Sequence, residues 1–233
     1  MARHLAVGAA IGGRRLLVVP TAVFRVGDGM HRVLRGYKDD PVVAARRHFA
    51  SSMQAHLSRF VAAHGHCLAA ATGGWETVAV VPSSGRASRA APGPGLPPHP
   101  FDGVVAGLPP FSSMPRHVLR HAGAEVRRLV PDRGAFAVQG DVRGRRVLLV
   151  DDTWVTGAHL YSAAAALGDA GAVVAGALVM GRSVDVTARP TAARWWSWVE
   201  RGAVHPERCC LPTCWNVPRS SEAVRNPVAV APQ

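Results

Sequence analysis

Asp151 and Asp152 stand side by side after the apolar run Val147-Leu148-Leu149-Val150 and before Thr153-Trp154-Val155-Thr156-Gly157-Ala158. The apolar run reads as a short buried strand, and the alanine-rich stretch from Ala158 to about Ala170 reads as a helix. A strand, a small hydroxyl-bearing turn and a helix N-terminus together form a cradle for phosphate. The first helical turn has unpaired N–H groups, and the helix dipole favours an anion there. Thr153 and Thr156 add hydroxyl donors, and Gly157 allows close backbone approach. Two carboxylates next to a phosphate repel it, unless the ligand also brings hydroxyls that they can accept from. A ribose 5-phosphate meets both demands, with residues 153–158 on the phosphate and Asp151 and Asp152 on the sugar. A Mg²⁺ ion, with its preference for oxygen ligands, could offset the remaining charge.

A second strand pattern, Thr77 to Val81, ends in Pro82-Ser83-Ser84-Gly85-Arg86. Ser83, Ser84, Gly85 and Arg86 offer hydroxyls, backbone amides and a guanidinium to a second anionic group, although a plain surface turn has the same composition. Other nucleotide loops are excluded: the chain has no Gly-x-x-x-x-Gly-Lys-Ser/Thr, and no dinucleotide glycine fingerprint follows its strands.

The elements that position these loops read as an α/β protein. The sequence has 233 residues, 48% of them hydrophobic, enough for one α/β core with a small accessory lobe. Arg15 to Pro20 reads as a strand, followed by a turn-rich stretch. Asp40-Pro41 reads as the N-cap and first position of an amphipathic helix, with Val42, Ala45, Phe49, Met53, Leu57 and Phe60 on its apolar face. Residues 90–100 form a proline- and glycine-rich loop. Helical spacing of Val118, Leu119, Ala122, Val126 and Leu129 predicts a helix from about Met114 to Leu129. The run from Ala158 to Met180 is nearly all apolar but breaks at Gly168-Asp169-Ala170-Gly171, which predicts helix, turn and buried strand, with no membrane span. Its amino terminus is too short and glycine-rich in its apolar part for a signal peptide, so a cytoplasmic location is expected.

Net charge is +12. Such an excess points to a polyanionic partner such as pyrophosphate, nucleotide or nucleic acid. It equally fits an arginine-inflating compositional bias, since Lys38 is the only lysine. Four cysteines do not make a secreted disulfide framework. His205, Cys209, Cys210 and Cys214 have enough ligand atoms for zinc, but adjacent cysteines are awkward co-ligands, and ordinary thiols are the simpler reading. Arg194-Trp195-Trp196-Ser197-Trp198 suits either base stacking or, more simply, closure of a core or a homo-oligomer interface.

The segment from Val147 to Gly157 resembles the signature of the type I phosphoribosyltransferases, which bind phosphoribosyl pyrophosphate (PRPP). Further upstream, His31-Arg32-Val33-Leu34-Arg35-Gly36-Tyr37-Lys38 before a helix, the strand end at Pro82 and Arg133-Gly134-Ala135-Phe136 resemble the ComF branch of that family. The likeness spans roughly residues 31–183. It implies the type I phosphoribosyltransferase fold, a mostly parallel central sheet flanked by helices with a small hood and lid. Under it, residues 1–36 are a hood-like segment and 37–183 the core, within which 87–144 hold loop and lid. Residues 184–218 form a tryptophan- and cysteine-containing segment and 219–233 a disordered tail.

The resemblance also implies a function: transfer of phosphoribose from PRPP, with Mg²⁺, to an unidentified nitrogen acceptor. In that reading Asp151 and Asp152 are the catalytic pair, Thr153 to Ala158 hold the 5-phosphate, and Ser83 to Arg86 hold the pyrophosphate. Arg127, Arg128 and Arg133 are lid candidates to reach pyrophosphate, or else a solvated basic face. An alternative of a different class is a non-catalytic PRPP or nucleotide sensor, or a nucleic-acid-binding protein linked to DNA uptake. The family's N-terminal zinc-type cysteines are missing here, and Ala158-His159 stands where Ala-Thr is common.

Overall fold

Nine residues of one strand run through the middle of the molecule, and the rest of the fold is arranged about them. In the computed structural model, which describes residues 16–82, 99–122, 126, 127, 129–188 and 190–198, this strand is β6 (Arg146–Trp154). It is buried along nearly all its length, as a strand covered on both faces must be. The other strands are β1 (Val18–Pro20), β2 (Val23–Phe24), β3 (Thr77–Val80), β4 (Arg116–His121), β5 (Phe136–Gln139) and β7 (Val173–Ser183). They form one seven-stranded sheet in the order β1-β7-β6-β3-β4-β5, with β2 also on β7. Every pairing is parallel except β4 with β5. The protein is therefore α/β with a mostly parallel, mixed sheet flanked by helices.

Helices cover both faces. On one lie α1 (Gly29–Asp39), α2 (Val43–Thr72) and α3 (Pro100–Ala106), packed on Leu148, Val150, Val78, Val80 and Leu178. On the other lies α4 (Ala158–Asp169), whose Leu160, Ala163 and Leu167 meet Val147, Leu149, Ala177 and Val179. A short helix α5 (Pro190–Trp198) follows β7; in it Trp196 is buried, with the Arg25 guanidinium 4.7 Å from its ring centre. Arg146, at the start of β6, donates to Thr72 O at 2.6 Å and Gly74 O at 3.1 Å, satisfying carbonyls at the end of α2. Among the described residues no helix is long and apolar enough to cross a membrane.

Three expectations are corrected. The stretch before Asp40 is not merely turns, because Gly29–Asp39 is helical and buries Leu34 and Tyr37. Asp40 does not cap the long helix; it ends α1, held extended (φ −62°, ψ 130°) by the proline after it, and α2 begins only at Val43. The helix expected over 114–129 is absent as well. Arg116–His121 is strand β4, drawn into the sheet between β3 and β5, with only Leu119 fully buried.

Candidate functional site

The sheet order creates one switch point. From β3 the chain goes outward to β4, and from β6 it goes the opposite way to β7, while β3 and β6 are themselves neighbours. In open α/β sheets a crevice opens where connections diverge in this manner, beyond the carboxyl ends of the strands. Val80, the last residue of β3, pairs with Val150, so Asp151 is the first residue of β6 beyond the end of β3. Ser83, Ser84, Gly85 and Arg86 lie outside the described residues, but the strand that leads to them ends beside the acid pair.

Strand alternation separates the two acids. Asp152 shares its parity with Leu148 and Val150, on the face of α1 to α3, whereas Asp151 shares its parity with Val147 and Leu149, on the face of α4. Both are buried. The Tyr37 hydroxyl donates to Asp152 Oδ2, and the Lys38 ammonium is ion-paired with the same oxygen. Burial, then the Asp152 charge, hold the Tyr37 hydroxyl far above its ordinary pKa, so it remains a neutral donor. Asp151 is also raised, by burial first and by Asp152 second; Lys38 and the N–H groups of Thr153 and Asp152 pull the other way.

His99 enters the same edge from the loop before α3. Phe101 N–H donates to its Nδ1 at 3.3 Å. Burial pushes the ring pKa down to about 4, with Lys38 and His121 adding to the shift and Asp152 opposing it. At neutral pH the ring is uncharged, and with Nδ1 an acceptor the hydrogen sits on Nε2.

The turn itself is shorter than the sequence suggests. Thr153 and Trp154 remain in β6, paired with Gly181 and Arg182 of β7, because β-branched and aromatic residues extend the strand readily. Trp154 is buried, and the Arg182 guanidinium stacks 4.3 Å from its ring centre. Val155, Thr156 and Gly157 make the turn, with Val155 exposed. Gly157 caps α4 at φ 88°, a conformation that side chains resist, and Thr156 Oγ1 accepts from Ala158 N at 3.3 Å. Ala158 is buried beneath the first turn.

The structure thus brings Asp151, Asp152 and residues 153–158 to one edge and adds Tyr37, His99 and Arg182, which sequence reasoning did not place there. Tyr37 and Lys38 had a signal only in the segment that resembles the ComF branch; His99 had none, sitting at the end of a proline-rich loop. Arg133 is a correction. It pairs with Asp169 at 2.6 Å, at the far end of α4 from Gly157, about 18 Å away by helix rise. Its guanidinium is therefore held away from the switch point, on the solvated face that was the other reading. Arg127 is exposed, and Arg128 lies outside the described residues, as do His205, Cys209, Cys210, Cys214 and the expected tail. Among the described residues no group of three or more His, Cys, Asp or Glu is arranged to hold a metal ion. A scan against models of known protein families finds no match for this chain, and a search of curated proteins finds none.

Proposed function

We propose that the chain is a phosphoribosyltransferase-like protein of type I fold, nearest in character to the ComF branch, that binds PRPP and transfers its phosphoribosyl group to a nitrogen acceptor. One observation carries the reading: Asp151-Asp152 and the Val155–Gly157 turn stand together at the sheet's switch point, on the N-terminus of α4. The helix end and Thr156 take the 5-phosphate. Asp152, its Oδ2 held by Tyr37 and Lys38, uses Oδ1 to accept from a ribose hydroxyl. At C1 the bond to pyrophosphate breaks, and its electron pair leaves with that group. The acceptor nitrogen forms the new bond and sheds its proton to solvent. Carboxylate charge beside the sugar favours the positive charge that develops at C1.

The acid pair does not suit a divalent ion. An ammonium and a phenol already occupy Asp152 Oδ2, and Asp151 is held toward its neutral form. We therefore treat Mg²⁺ as the counter-ion of pyrophosphate, arriving as part of the substrate, and assign it no step. Calorimetric titration with Mg²⁺ and PRPP tests the proposal. Each lost hydrogen bond to a charged group costs ~1.5–3 kcal/mol, so Asp151→Asn with Asp152→Asn should weaken binding ~10-fold or more. Unchanged affinity in a variant with an unchanged circular dichroism spectrum refutes the site. The charge of +12 favours a second reading, a non-catalytic sensor that also binds nucleic acid, and steep salt dependence of DNA binding without pyrophosphate release would support it.

A further inference from the structure

We infer that Lys38 is the resident cation of the acid pair, standing where a divalent metal would otherwise be needed, so that the sugar-phosphate end of the ligand binds without metal. The inference rests on the sugar-phosphate reading above and deepens it. A buried carboxylate beside a phosphate calls for a positive charge on it, and the chain supplies one to Asp152 from α1. The Lys38 ammonium lies on Asp152 Oδ2 and 5.3 Å from the centre of the Tyr37 ring. Its side chain is 21% exposed and that of Asp152 7%, so the pair is largely out of water and weakly screened.

Residue type supports the assignment. Among 27 lysines and arginines this is the single lysine. An ammonium is a compact point charge with three donors, whereas a guanidinium is a wide planar fork. A compact cation is the nearest side-chain equivalent of a small hydrated ion. It also competes with one: Mg²⁺ demands near-octahedral oxygen ligands, and the carboxylate oxygen it would take is already shared by Lys38 and the Tyr37 hydroxyl. Tyr37 is the positioning residue, fixing Oδ2 toward the lysine and leaving Oδ1 as the other acceptor.

Ribose 5-phosphate, which lacks the pyrophosphate, isolates this end of the ligand. Titration of the full chain should give the same affinity in Mg²⁺ and in EDTA, within about twofold, while PRPP keeps its metal dependence. Lys38→Met retains the aliphatic stem; it should lose ~10-fold or more in EDTA and clearly less in Mg²⁺. Lys38→Arg, which keeps the charge but not the compact head, should retain only part of the metal-independent binding, more than Lys38→Met does. If Lys38→Met does not fold, the wild-type comparison and Lys38→Arg still decide. Ribose 5-phosphate binding that needs Mg²⁺ in the wild type overturns the inference and leaves the sugar-phosphate reading standing. An equal loss in both buffers for Lys38→Met marks the lysine as structural only and also overturns it. Failure of the wild type to bind either ligand removes the underlying reading, and the inference with it.

Discussion

Removing Lys38 tests whether α1 is held to the sheet electrostatically. Breaking one partner of a buried ion pair costs ~3–5 kcal/mol, because the other charge stays behind without compensation. Lys38 is 21% exposed, so water can replace part of what it gives Asp152, and Lys38→Met should cost ~2–3 kcal/mol. Asp152→Asn should cost only ~1 kcal/mol: the amide oxygen still accepts from Tyr37, and the flexible ammonium can turn to solvent. In the double variant the buried charge is gone, so its cost should fall near that of Asp152→Asn alone. The cycle then yields a coupling of ~2 kcal/mol, well above the ~0.5 kcal/mol scatter of independent sites. Urea unfolding at pH 7, followed by circular dichroism and tryptophan fluorescence with a common slope, measures all four proteins. Additive costs would mean that the contact between Lys38 and Asp152 does nothing for stability, and the argument for a desolvated pair would fail.

Two further perturbations probe the walls of the site. His99 has its ring pKa pushed from 6.5 to about 4, so the unfolded chain binds a proton there before the folded one does. Its contribution is intact above pH 6.5 and is lost as pH falls toward 4, up to ~3 kcal/mol over the full window. Urea midpoints between pH 6.5 and 5, above the range of ordinary carboxylates, should fall in the wild type and flatten in His99→Gln; equal slopes would remove His99 from the buried set. Gly36→Ala tests the α1–α2 seam, where a Cβ would come within 2.3 Å of the Phe49 ring. In an open helix the change would stabilise by ~1 kcal/mol, but overpacking costs ~1–3 kcal/mol. A lowered thermal midpoint, relieved by Phe49→Leu, is expected; a raised midpoint would show the seam to be loose.

What was legible in the sequence and what was not divides along physical lines. β6, α4 and β7 could be read directly, since Val147 to Val150, the alanine run and the Gly168–Gly171 break each carry a local signal. α1 could not: Gly27, Asp28, Gly29 and Gly36 imitate turns, and the use of Gly36 emerges only once Phe49 lies against it. β4 could not either, because Val118, Leu119, Ala122, Val126 and Leu129 happen to fall at helical spacing, and only pairing with β3 and β5 settles the strand. The site shows the same division. Its acids and its turn sit within one stretch of chain, but Tyr37 reaches Asp152 across 115 residues, and no spacing announces such a contact. Most telling is the pair itself. Read along the chain, Asp151 and Asp152 are interchangeable. Folded, the two-residue period of the strand turns them to opposite faces, one toward α4 and one toward a tyrosine and a lysine on α1. They therefore differ in partner, and single substitutions should separate their roles. Loss at Asp152, which Lys38 touches, should track with Lys38 more closely than loss at Asp151, which Lys38 influences only through its charge.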